Sequence, residues 1–188
     1  SYEGPESRSV GERCIVGFGN TGGPVMNNVL YNNTYQIVQS PGHAMILVEM
    51  VHDARIIPIV ASKAEAKHDP AGIKKWLGDS VGWYEGNTLV VETKHVHPQQ
   101  RGYVSDNGKM TERFTRTEDG VILYQFEIDD PKTYTSVWRG ETALNRLDDS
   151  IFEYACHEGN YGLNNILSGG RQNDLKGISV KAGAEREE

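Results

Sequence analysis

The chain reads as an all-β protein, mainly antiparallel, whose strands run up and down as a meander and close into a barrel. Three observations predict this. Short alternating or wholly apolar stretches recur at hairpin spacing. Turn signals separate them, among them Ser40-Pro41-Gly42-His43, Glu85-Gly86-Asn87, Glu118-Asp119-Gly120 and Asp130-Pro131-Lys132. No long helical periodicity interrupts them. Roughly eight to ten such strands protect their edges most easily by closing, which gives a lipocalin-like or calycin-like barrel with one or two short helices, of a size to enclose one small ligand.

Composition narrows the partners. At 188 residues the chain suits one domain over 1–188, with a polar arm at 1–13 and a polar tail at 172–188. A formal net charge of −7 without a Lys/Arg cluster argues against nucleic acid, and no apolar run is long enough for a membrane span. The expected partner is a small-molecule ligand or substrate, and a homo-oligomer stays open. The chain lacks an initiator Met and opens on a polar stretch, so a removed export signal and a periplasmic or secreted location are expected. Cys14 and Cys156, an even pair without CxxC spacing, suggest one long-range disulfide; two buried thiols are the alternative.

Taken in order, 14–18 reads as a short apolar strand leading into Gly19-Asn20-Thr21-Gly22-Gly23-Pro24. No Lys-Ser/Thr pair follows those glycines, so they read as a plain loop rather than a phosphate cradle. Residues 35–39 and 44–50 form a hairpin across Pro41-Gly42. In the second strand Ala44, Ile46, Val48 and Met50 alternate with Met45, Leu47, Glu49 and Val51, so both faces are largely apolar and the strand should be covered on both sides. A third strand returns over 55–60. Residues 71–77 suggest a short helix carrying Trp76 into the core. Strands follow at 81–84, 88–93, 109–117, 121–128, 133–146 and 151–156, and a second short helix at 162–167 ends at Gly169-Gly170.

Two constellations carry candidate chemistry. Glu49, His52, Asp53 and Arg55 bunch at the end of the central apolar strand, where burial raises a carboxylate's pKa and a nearby Arg lowers it. A structural carboxylate–Arg network would use the same residues. His157 and Glu158 follow the last strand beside Cys156, a stiff platform for proton transfer, or else simply a helix start capped by Glu158 and Asn160. Placed across a barrel, His52, Asp53, Arg55, His157 and Glu158 would form one catalytic site. Glu49, Trp83, Tyr84, Tyr124, Trp138, Tyr154 and Tyr161 would bind the ligand, the aromatics giving apolar faces with polar tips. His95 and His97, at i and i+2, offer two imidazoles to a metal but no third ligand by spacing. Neither a nucleophile elbow nor a dinucleotide fingerprint occurs.

GDSVGWYEGNTLVVET, TERFTR and FEYACHEGNYGLNNILSGGR resemble motifs of a large, mostly uncharacterised family of exported bacterial proteins, a likeness that runs from about Arg13 to Arg171. The resemblance implies export and supplies no reaction. Relatives usually have Trp in place of Tyr84 and Asp in place of Asn87, and they lack His95-Val96-His97. The residues themselves point to cofactor-free acid/base chemistry of the lyase, isomerase or hydrolase type on a partly aromatic or apolar molecule. The alternatives are a non-catalytic ligand-binding barrel and a metal-dependent enzyme using His95 and His97.

Overall fold

Pro41 and Gly42, the latter at φ 77°, make the tight reversal on which the first sheet depends. In the computed structural model, which describes residues 4–18, 23–28, 30–100, 104–105 and 107–178, this turn joins β1 (Tyr35–Ser40) to β2 (His43–Val48). β3 (Ala54–Pro58) pairs on the other side of β2, completing a three-stranded antiparallel sheet in the order β1-β2-β3. The second sheet holds five antiparallel strands in sequence order: β4 (Asp79–Glu85), β5 (Thr88–Lys94), β6 (Lys109–Glu118), β7 (Val121–Asp129) and β8 (Trp138–Asn145). Gly86 and Gly120, at φ 62° and 78°, occupy the hairpin turns where the sequence placed them.

Alternation decides which face of each strand is buried. Ala44, Ile46 and Ile57 from the small sheet meet Leu89, Val91, Met110, Phe114, Tyr124, Phe126 and Ile128 from the large one, with Val25 and Met26 in the same cluster. These side chains fill the space between the sheets.

The expected closed barrel is therefore corrected: the strands form two open sheets, and neither closes on itself. The meander breaks after β3. A single parallel bridge, Ile59 to Gly82, joins the sheets, and the chain then passes over the outer face of β4 and β5 before entering β4. Two sheets packed face to face bury their apolar sides without closure. The expectation that β2 is covered on both faces fails in the same way, since the face carrying Met45 is flanked by Val38 and Ile56, which are 42% and 58% exposed.

Other expectations shift more locally. Residues 14–18 and 151–156 are irregular rather than strands. Residues 71–77 form turns, with Trp76 half-buried, and β8 starts at Trp138 instead of 133. The C-terminal helix α1 (Tyr161–Leu175) runs through Gly169 and Gly170 instead of stopping there; the Asn160 side chain caps it by accepting the Leu163 N–H at 3.2 Å. The glycine run at 19–22 and the end of the tail, 179–188, lie outside the described residues.

The chain divides into two compact units, Val16–Tyr154 and a smaller one built from Ser1–Ile15 with Ala155–Glu188. The larger contains both sheets. In the smaller, Cys14 and Cys156 form the expected disulfide across 142 residues, and the Asn160 amide donates to the Glu12 carbonyl at 2.7 Å. Among the described residues no helix is long and apolar enough to cross a membrane.

Candidate functional site

The corner between β2 and β3 is set by backbone strain. Val51 and His52 both take left-handed conformations, at φ 59° and 44°, which a β-branched residue such as Val rarely adopts. Neighbours hold them there. Glu49 is buried and accepts from Asn32 Nδ2 at 2.6 Å, its N–H donates to the Thr34 carbonyl at 2.9 Å, and the His52 N–H donates to the Glu49 carbonyl at 3.2 Å. The reversal leaves His52 exposed and Asp53 half-buried. Asp53 Oδ2 accepts the Gly17 N–H at 3.1 Å, and Val48 N–H donates to the Asp53 carbonyl at 2.9 Å. Burial pushes the Asp53 carboxyl up to about 6, against the opposing pull of the Gly17 hydrogen bond and the His52 charge.

Arg55 turns the other way, into the core. Its Nη1 donates to Glu112 Oε1 at 3.0 Å and its Nη2 pairs with Glu112 Oε2; both side chains are almost wholly buried. Ser80 and Thr93 hydroxyls lie 3.4 and 3.3 Å from Nη2, and the Tyr124 hydroxyl donates to Glu112 at 2.8 Å while accepting the Met26 N–H at 2.9 Å. Burial opposes the guanidinium charge, but Glu112 outweighs it and holds Arg55 above its usual value. Tyr35 beside them is pushed up to about 12, by burial first and then by the Glu112 charge. A Cβ on Gly23 would fall 2.5 Å from Nη1, so only glycine lets the backbone pass here. Sequence reasoning missed Glu112, although it lies in TERFTR at the parity of Met110 and Phe114, which is the inward one.

A second polar centre, also missed, lies on the outer face of the large sheet. His68 Nδ1 sits 3.0 Å from Asp79 Oδ2 on β4, and Nε2 sits 3.1 Å from Glu92 Oε1 on β5. Lys75 pairs with Asp79 at 2.8 Å and Lys94 with Glu92 at 2.9 Å. A lone His in a polar connector carries no spacing signal, so nothing in the sequence distinguishes it. The same sheet face, further along over β6 to β8, holds an open groove of about 340 Å³ lined by Thr111, Arg113, Gln125, Glu127, Arg139 and Glu141.

The remaining candidates disperse. Tyr124 is in the core, whereas Trp83 is buried on the opposite face of the sheet, where its indole N–H donates to Glu85 at 2.9 Å. Tyr84 is exposed and accepts from Gln39 Nε2. Trp138 packs edge-on against Phe126, with ring centres 5.3 Å apart, and Tyr154 stacks on Tyr31 at 6.2 Å. His97 lies against Trp76 at 3.9 Å, while His95 meets the His68 ring edge-on at 6.2 Å. Among the described residues no three His, Cys, Asp or Glu side chains gather as a metal-binding group. His157, Glu158 and Tyr161 are exposed and belong to the smaller unit, so the five catalytic candidates are split between the two units. No family model, curated protein or solved structure matches the chain.

Proposed function

We propose that the larger unit performs cofactor-independent acid/base chemistry on a small molecule at the β2–β3 corner, with the Asp53 carboxyl as the group that takes and returns a proton and His52 beside it. The strained reversal carries this reading. Two consecutive non-glycine residues held left-handed cost roughly 1–3 kcal/mol each, and strain of that size concentrates where a site must be held in one geometry. It presents Asp53 half-buried, with one oxygen engaged by Gly17. A carboxyl at about 6 populates both protonation states near neutrality, which suits a group that must act as base and then as acid. Lyase, isomerase or hydrolase reactions in which the protein's part is proton transfer, with the substrate's own leaving group or a water supplying the bond that breaks or forms, fit this equipment. Arg55 is not part of the site, because its guanidinium lies in the core with both Nη nitrogens paired to Glu112. The disulfide supports a periplasmic or secreted location, where an oxidising medium preserves it.

One observation favours a second reading, binding without chemistry. The groove over β6 to β8 presents Arg113, Arg139, Glu127 and Glu141 together, a surface suited to a polar small molecule.

The test compares the parent with Asp53→Asn on a panel of enolisable ketones, β-elimination substrates and activated esters. Asparagine keeps the shape and can still accept from Gly17, so turnover should fall roughly 10²–10⁴-fold with the fold intact. Turnover that survives the substitution sinks the proposal. So would an Asp53 carboxyl resonance that titrates in the ordinary carboxylate range.

A further inference from the structure

We infer that residues 61–74 form a strap clipped over β4 and β5 by a doubly protonated His68, and that the clip loosens when this imidazole gives up a proton. The strap is tied at both ends. Val60 N–H donates to the Gly82 carbonyl at 2.9 Å, and at the far end Lys75 N–H donates to the His95 carbonyl at 3.1 Å while His97 N–H donates back to Lys75 at 2.8 Å. Between these ties the strap's backbone hydrogen bonds are local, from Glu65 to Ser62, Ala66 to Lys63 and Ile73 to Pro70. His68, with the Asp69 N–H that donates to Asp79 Oδ2 at 2.9 Å, fastens its middle to the sheet.

The chemistry of the clip follows from its donors and acceptors. An ionised carboxylate only accepts hydrogen bonds, and His68 has one carboxylate at each ring nitrogen, at 3.0 and 3.1 Å. Both contacts are hydrogen bonds only if both nitrogens carry protons. A neutral ring has one N–H, so the other nitrogen then turns a lone pair towards a carboxylate.

Every charged neighbour fits this account. Asp79 is held below the usual carboxylate range although burial works to raise it, because Lys75, the Asp69 N–H and His68 outweigh burial. Glu92 is lowered in the same way, burial being outweighed by Lys94 and His68. Both therefore stay ionised in mild acid and act only as acceptors, so the protons in these two contacts come from the imidazole. Asp69 is engaged by Lys75 at 2.7 Å. His95, whose ring edge faces His68, is lowered by burial and then by Lys74 and His68, which limits the positive charge it can add. Lys75 is held above its usual range by Asp69 and then Asp79 and keeps its charge, so deprotonation of the imidazole loosens the strap without unfolding the sheet. On the face of β4 and β5 that the strap crosses, Val81, Trp83 and Val90 are at 5%, 3% and 0% exposure, with the Lys63 ammonium 6.0 Å from the Trp83 ring. Opening would uncover this apolar patch at Arg113, the cross-strand neighbour of Val90 and a wall of the groove.

Amide exchange measured by NMR on the intact, disulfide-bonded chain tests the inference. The Glu65, Ala66 and Asp69 amides, corrected for intrinsic exchange, should lose roughly tenfold in protection between pH 5.5 and 8, while amides of β6 and β7 do not change. Glu92→Gln supplies the decisive comparison. A Gln amide can donate to neutral Nε2 while Nδ1–H donates to Asp79, so both contacts survive deprotonation and the pH dependence should flatten. Equal protection at the two pH values, or a Glu92→Gln strap as pH-dependent as the parent's, overturns the clip.

Discussion

Asp53 and Arg55 stand two positions apart in one polar cluster, yet the first ends up at a half-buried corner and the second in the core. The difference is a matter of partners. Arg55 is an inward strand residue whose charge is matched by Glu112 across the core, whereas Asp53 precedes β3 and has only a backbone N–H. Opposite consequences for stability follow. Breaking the buried pair with Glu112→Gln leaves a guanidinium uncompensated, and urea unfolding should show a loss of about 3–5 kcal/mol. Asp53 works the other way. Its folded value of about 6 lies above the ordinary 3.8, so the folded chain holds the proton more tightly than the unfolded chain. Its cost is absent below about pH 4 and grows as pH rises through about 6. Discounted for partial exposure, Asp53→Asn should gain about 1–2 kcal/mol at pH 7.5 and nothing at pH 4. A variant less stable at both pH values would mean that the carboxylate is a structural partner rather than a strained functional group. The corner was legible as a place where polar groups meet an apolar strand. Arg55's partner was legible only through the inward parity of Glu112, and His68 was not legible at all, because pairing across 11 and 24 residues leaves no local pattern.

Hairpins were the readable elements. Each strand pair closed by a Gly-containing turn, at Gly42, Gly86 or Gly120, formed where the sequence placed it, because turn chemistry and alternation agree there. Short apolar runs without such a turn, at 14–18 and 151–156, did not become strands. They lack a partner strand, and an isolated run has no ladder to satisfy its backbone. The helix at 71–77 failed for a related reason: Pro70 and Gly72 favour a turn, and the Lys75 backbone is taken up by the His95 carbonyl and the His97 N–H. In contrast, α1 outran its expected stop. Gly170 is buried, which accounts for a small residue there, but Gly169 is exposed, and nothing lies within 4 Å of where its Cβ would be. Gly169→Ala should therefore stabilise α1 by roughly 0.5–1 kcal/mol through helix propensity alone. Increased helicity by circular dichroism together with a raised melting temperature would bear this out; a loss in either would mean that helix propensity does not decide this position.

At the scale of the whole molecule, antiparallel order was readable, but the runs at 14–18 and 151–156 were counted as strands in error and closure was not readable, since it depends on whether β3 runs on into β4 as a full ladder or through one bridge. The segment between them decided the outcome, and its anchor was the unreadable His68. The disulfide was readable from two cysteines alone, and its role is sharpened by the division of the chain. Both cysteines belong to the smaller unit, where Cys14 ties the first residues to the segment that leads into α1. That unit has little core: among its described residues only Val10, Gly11, Cys14, Leu167 and Gly170 are buried. Units this short ordinarily need a covalent staple. The larger unit has its own filled core and its own ladders. Reduction should consequently act unevenly. With the bridge opened by a phosphine reductant, amides of α1 should lose protection first and by several orders of magnitude, while those of β5, β6 and β7 keep theirs at the same temperature. Hydrogen exchange read by mass spectrometry distinguishes the cases directly. If the strands of the large sheet lose protection in step with α1, the two units unfold as one cooperative system, and the bridge staples the whole chain instead of its ends.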